Sequence, residues 1–137
     1  MTEQRVSTDQ PQVAVVDDDP RLRMLLQEEL QDLGVVPLLC DNGAALLALL
    51  EKQSVDLILL DLMMPVMDGF ACLDSLRDRC FPGPVVVVTA HGDASCRQRV
   101  LQAGATDYIL KPELFELLPT LLQRYLPRGT GASMPHA

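Results

Sequence analysis

Residues 13–20 read VAVVDDDP, four apolar residues running straight into three carboxylates and a proline. Three of the four are β-branched, and the run does not alternate with polar residues. That is the pattern of a strand covered on both faces, since a strand with one wet face alternates. Pro20 suits the first turn of a helix, where its missing N–H loses no bond, and Asp19 before it suits the cap. Leu22, Leu25, Leu26, Leu30 and Leu33 then recur at helical spacing until Gly34. A strand followed at once by an amphipathic helix is the first half of a parallel β-α-β unit.

The same alternation continues outward from this stretch. Apolar runs recur at 35–39, 57–60, 85–88 and 108–110. Helical patterns fall at 44–52, 70–79 and 94–103, with a fifth inside 114–126. Asn42 is a cap for the second helix, whose Leu46, Leu47, Leu49 and Leu50 are expected to face inward. Five strand–helix alternations predict an α/β fold, a doubly wound parallel sheet with helices on both faces, because right-handed crossovers allow little else. Pro37 sits inside the second strand and is tolerated only at a sheet edge. The flavodoxin-like strand order 2-1-3-4-5 puts that strand at an edge. Pro119 predicts an irregular turn after Leu114, with a regular helix only from near Leu118.

The chain has 137 residues, the size of one domain. We read 1–11 as a flexible lead, 12–126 as the domain and 127–137 as a Gly/Pro-rich tail or the start of a linker. Eleven basic residues against nineteen acidic ones leave a net charge of −8, which argues against a nucleic-acid surface. No apolar run approaches the ~18–20 residues of a membrane span, and the opening MTEQRVSTDQPQ lacks the features of a signal peptide. A cytoplasmic location is therefore expected. Cys40, Cys72, Cys80 and Cys96 have no metal-site spacing and read as reduced thiols, with Cys72 and Cys80 able to share one buried helix face.

Ligands of such sheets bind beyond the carboxyl ends of the strands, where strand order reverses. Those ends carry Asp17, Asp18 and Asp19, then Asp61, Thr89 and Lys111. With strands one and three adjacent, their carboxylates converge. Each pair within ~4 Å repels by about 1–4 kcal/mol, so the cluster requires a cation or shifted pKa values. Oxygens from Asp17, Asp18 and Asp61 suit a hard octahedral ion such as Mg²⁺. Beside them, an ammonium and a hydroxyl make a site for a transferring phosphoryl group, with a carboxylate as nucleophile.

Four motifs, VVDDDP at 15–20, LLDLMMPVMDG at 59–69, VVVVTA at 85–90 and GATDYILKP at 104–112, resemble the receiver domains of two-component response regulators. The resemblance implies that Asp61 accepts the phosphoryl group, and that Asp17, Asp18, Asp61 and the Met63 backbone carbonyl hold Mg²⁺. It implies that Thr89 and Lys111 contact the phosphoryl oxygens and that Tyr108 is an aromatic switch coupled to Thr89. It also implies a cis Lys111–Pro112 bond, and a phosphoryl donor that is a histidine kinase or histidine phosphotransfer protein. The output would be a downstream protein or a second copy, docked on the face of helix four, strand five and helix five. The implied role is a phospho-switch rather than a turnover enzyme.

Other readings stand beside these. Asp19 reads as a cap, Asp68–Gly69 as a turn and cap, Asp56 as a solvated loop carboxylate, and Arg97 and Arg99 as a solvated face. His91 either faces the phosphoryl site and tunes hydrolysis or is an ordinary loop residue. Asp17 and Asp19, one residue apart, also resemble haloacid-dehalogenase phosphohydrolases, which need a later acidic pair; only Glu113 and Glu116 follow Lys111 closely. A third reading is a binding module that keeps the fold without the switch, although such modules usually lose a site residue.

Overall fold

The computed structural model describes residues 10–64, 67–90 and 92–126. The segments read as a flexible lead and tail lie outside these residues, save for 10–11 of the lead, and so does His91. Strands and helices alternate as β1 (Gln12–Val16), α1 (Pro20–Asp32), β2 (Val36–Cys40), α2 (Gly43–Leu50), β3 (Leu57–Asp61), α3 (Gly69–Asp78), β4 (Val85–Thr89), α4 (Ala94–Gln102), β5 (Asp107–Leu110) and α5 (Leu114–Tyr125). The strands form one parallel sheet in the order β2-β1-β3-β4-β5. Both the fold class and the strand order match the expectation.

The unbroken apolar strands divide their side chains between two cores. Val13, Val15, Leu57, Leu59, Val86, Val88 and Ile109 meet Leu26 and Leu30 of α1 and Leu114, Leu118, Leu121 and Leu122 of α5. Ala14, Val16, Ile58, Leu60, Val85 and Val87 meet Leu46 of α2, Cys72, Leu73 and Leu76 of α3, and Val100 of α4. Each fully buried leucine contributes about 1.5–3 kcal/mol of transfer free energy, so both faces of the sheet are anchored. Asp19, Asn42, Asp68 and Asp93 cap α1, α2, α3 and α4 through their side chains.

Pro37 lies on edge strand β2. The Val36 N–H donates to the Pro11 carbonyl on β1's side at 2.8 Å, so the next nitrogen, that of Pro37, faces the open edge. Several expectations are corrected. Leu25 is 54% exposed, because the stripe through Leu22, Leu26 and Leu30 meets the sheet and Leu25 sits about 100° round the helix. Of the α2 leucines only Leu46 is fully buried, and Leu47, Leu49 and Leu50 pack half-buried against the core. Cys72 is buried, but Cys80 lies past the end of α3 and is exposed; all four cysteines are free thiols. Asp56 is no solvated carboxylate: it accepts the Gln12 N–H at 2.7 Å and returns its own N–H to the Gln12 carbonyl at 2.8 Å, pinning the start of β1. No peptide bond among the described residues is cis, so Lys111–Pro112 is trans.

The largest correction concerns Pro119. A 3-10 turn over Lys111–Glu113 runs directly into α5, which starts at Leu114 and carries Pro119 inside it. The proline forfeits one hydrogen bond, to the Phe115 carbonyl, and its exposed ring projects away from the sheet. Burial of Leu114 and Leu118 on the opposite side outweighs that loss. Pro119→Ala should therefore raise the unfolding free energy by about 1–2 kcal/mol, less than the full helix-interior penalty because proline also stiffens the unfolded chain. Urea unfolding with an unchanged m-value is the measurement.

Candidate functional site

Strand register assembles the site. Val16 pairs with Leu60, which sets Asp17 beside Asp61, and Thr89 pairs with Leu110, which sets Lys111 one step beyond Thr89. Asp17 and Asp61 are each 3% exposed and Thr89 is fully buried. Carboxylate oxygens of Asp17, Asp18 and Asp61 lie within 4.8 Å of one another, with Asp18 on the solvent side. Lys111 Nζ stands 3.0 Å from Asp17 Oδ2 and 3.5 Å from Asp61 Oδ1, bridging the two buried acids.

The electrostatics follow from that crowding. Burial, reinforced by the Asp17 charge, pushes Asp61 up to about 6, against the opposing pull of Lys111 and of the Met63 N–H. Burial works against the Lys111 ammonium too, but Asp17 and Asp61 outweigh it and raise its pKa. Asp61 Oδ2 is buried and has no hydrogen-bond partner among the described residues. A buried carboxylate oxygen without a donor is costly. Together with a three-carboxylate oxygen set open to solvent through Asp18, that orphan fits a hard divalent cation such as Mg²⁺.

Local backbone holds these groups in place. The Asp17 N–H donates to the Cys40 carbonyl at 3.1 Å, Arg23 Nη1 donates to the Asp17 carbonyl at 2.7 Å, and the Asp19 N–H donates to Asp17 Oδ1 at 2.9 Å. Arg23 has no counterpart in the sequence reading; its signal was an arginine on the helix that leaves the acidic stretch. Asp19 turns its own carboxylate to the Arg21 N–H at 2.9 Å, so it is a cap as expected. Gly69 gives its N–H to the Leu62 carbonyl at 2.8 Å, and a Cβ there would stand 2.7 Å from Leu62 Cα and 3.1 Å from the Asp61 carbonyl. The turn at Asp68–Gly69 thus also shapes the loop after Asp61. Met63 follows, 68% exposed, with its N–H 3.4 Å from Asp61 Oδ1.

Tyr108 pairs with Val87 in the sheet and packs half-buried on the α2–α4 side. Its hydroxyl is buried against the loop between β4 and α4. Arg97 and Arg99 are exposed as expected, but Arg99 also stacks over the Phe70 ring at 4.5 Å, tying α4 to α3.

A family model described as the response regulator receiver domain matches residues 13–123. The chain belongs to that family. This receiver domain is 36% identical over 115 residues to the sensor histidine kinase GacS of Pseudomonas protegens, covering 80% of the chain and 12% of GacS. It is 37% identical over 123 residues to the DNA-binding transcriptional regulator NtrC of Escherichia coli, covering 90% of the chain and 26% of NtrC. The chain thus spans a minor part of either relative's length. Its fold superposes on the chemotaxis protein CheY4 of Vibrio cholerae with a TM-score of 0.80 at 31% identity, covering 85% of this chain and 99% of that one. The domain is a module of two-component signalling, and the haloacid-dehalogenase alternative falls with that family match. No helix among the described residues is long and apolar enough to cross a membrane.

Proposed function

We propose that this receiver domain takes a phosphoryl group from a phosphohistidine donor, a histidine kinase or histidine phosphotransfer protein, onto Asp61. The observation that carries this reading is the buried Asp61 carboxylate, one oxygen beside the Lys111 ammonium and the other without a partner. In the transfer, an Asp61 oxygen bonds to phosphorus as the phosphorus–nitrogen bond of the donor breaks. The electron pair leaves with the imidazole nitrogen, which takes up a proton. Asp17, Asp18, Asp61 and the Met63 backbone carbonyl would hold Mg²⁺, which supplies neutralisation of charge on the transferring group. Lys111, already midway between the two acids, turns its ammonium to a phosphoryl oxygen, and the Thr89 hydroxyl donates to another. Each molecule is modified on its own side chain, so the domain acts as a switch rather than by turnover.

The phosphoryl group adds a charge of about −1.5 to −2. Drawing Thr89 and Lys111 toward it frees space for Tyr108 to repack, which biases the face formed by α4, β5 and α5. That face would dock a downstream protein or a second copy. The acidic balance of the chain disfavours nucleic acid as the direct ligand. A cytoplasmic setting, with 12–126 as the domain, suits a phosphohistidine donor.

Beryllium fluoride, which imitates a phosphoryl group on a carboxylate, tests both halves. With Mg²⁺ it should shift amide resonances at Asp61, Thr89 and Lys111 and along α4, β5 and α5, and Asp61→Asn should abolish every shift. Shifts confined to the site, with α4, β5 and α5 silent, would overturn the switch.

A further inference from the structure

Gly92 lies in the loop between β4 and α4, three residues past Thr89 and one before the cap Asp93. Among the described residues the glycines with left-handed backbone are Gly34 and Gly104, so the path of the chain does not demand a glycine at 92. Space does. A Cβ built on Gly92 falls on the Tyr108 hydroxyl, 2.6 Å from Tyr108 Cζ and 3.4 Å from Thr89 Cγ2. The tip of the ring occupies the volume that any other residue would fill with its side chain. That hydroxyl is buried without a hydrogen-bond partner among the described residues. Burial pushes the phenol's pKa up, and the neighbouring Cys96 thiol adds to the rise. The Cys96 thiol beside it is at most a weak hydrogen-bonding partner, so the close fit against Gly92 is the main constraint on the ring tip.

We infer that Gly92 is the positioning residue of Tyr108: its absent side chain forms the berth that keeps the ring tip against the Thr89 end of β4. This rests on the proposed function, in which Tyr108 repacks together with Thr89. With a Cβ at position 92 the ring must leave. An open cavity of about 720 Å³ beside α4, bordered by Ala90, Cys96, Arg99 and Leu110, gives it somewhere to go. Asp61 and its neighbours are untouched by that displacement, so modification of Asp61 and the response of the α4 face become separable.

The sequence makes the test clean, because it holds two tyrosines, Tyr108 and Tyr125, and no tryptophan. Labelling with 3-fluorotyrosine gives two ¹⁹F signals, assigned with Tyr125→Phe. Gly92→Ala should shift the Tyr108 signal and make it broaden with a soluble paramagnetic probe, while acetyl phosphate still modifies Asp61. Folding supplies a second readout. Alanine for glycine at an ordinary φ normally raises the unfolding midpoint. Gly92→Ala should lower it when Tyr108 is present and raise it in a Tyr108→Ala background, a reversal of sign that a general loop effect does not produce. An unmoved Tyr108 signal, or the same sign in both backgrounds, overturns the berth. Loss of labelling in the wild-type protein would overturn the phosphoacceptor reading instead, and the fluorine spectrum would still decide on Gly92.

Discussion

Acetyl phosphate with Mg²⁺ should raise the intact mass of the wild-type domain by one phosphoryl group, and Asp61→Asn should stay unmodified. An amide oxygen is a poor nucleophile, and the variant keeps every other group of the site. Omitting Mg²⁺ should also prevent labelling, because an anionic donor would then approach the three carboxylates of Asp17, Asp18 and Asp61 with too little positive charge from Lys111 to offset them. Lys111→Met should leave the acceptor intact but slow its modification by about 10²–10³-fold, the range for losing one preorganised charge at a developing anion. Time courses of intact mass measure both effects. Labelling of Asp61→Asn at Asp17 or Asp18 would show that a different carboxylate of the cluster is the acceptor.

The site was legible because its residues stand where apolar runs stop. Asp17 and Asp61 each follow an unbroken strand, and once those strands are neighbours the register leaves the two acids no other place to be. Lys111 and Thr89 follow from β5 and β4 in the same way. What stayed hidden depends on contacts without a local signature. The pairing of Asp56 with Gln12 spans 44 positions, and nothing near either residue marks it. Leu25 and Leu26 both satisfy helical spacing, and only the docking angle on the sheet separates the exposed one from the buried one. Pro119 was judged by the rule for an isolated helix, whereas tertiary burial of Leu114 and Leu118 decides the outcome. Gly92 carries no local signal in the sequence, since the space it leaves is filled by Tyr108, sixteen positions away on β5.

The crowding that suits Asp61 to a cation should also make it a liability without one. In the absence of divalent ions, Asp61→Asn should be more stable than the wild-type domain near neutral pH, by up to about 3 kcal/mol. The folded state raises the Asp61 pKa from its ordinary 3.8 to about 6, chiefly through burial. Between those two values the folded protein holds a proton that the unfolded chain has lost. The stability contributed by protonated Asp61 is therefore complete below about pH 3.8 and disappears as pH rises through about 6. A rise of about two on the pKa scale, at about 1.4 kcal/mol each, sets the ceiling. The attraction of Lys111, lost in the variant, already enters that figure as an opposing effect. Urea unfolding in chelator at a series of pH values should show the advantage of Asp61→Asn shrinking from about pH 7 to about pH 4. Mg²⁺ should then stabilise the wild-type domain more than the variant, since a ligand stabilises in proportion to its affinity for the folded state. If the variant is instead the weaker protein at neutral pH in chelator, the pull of Lys111 outweighs burial, and Asp61 is held charged and ready before any cation arrives.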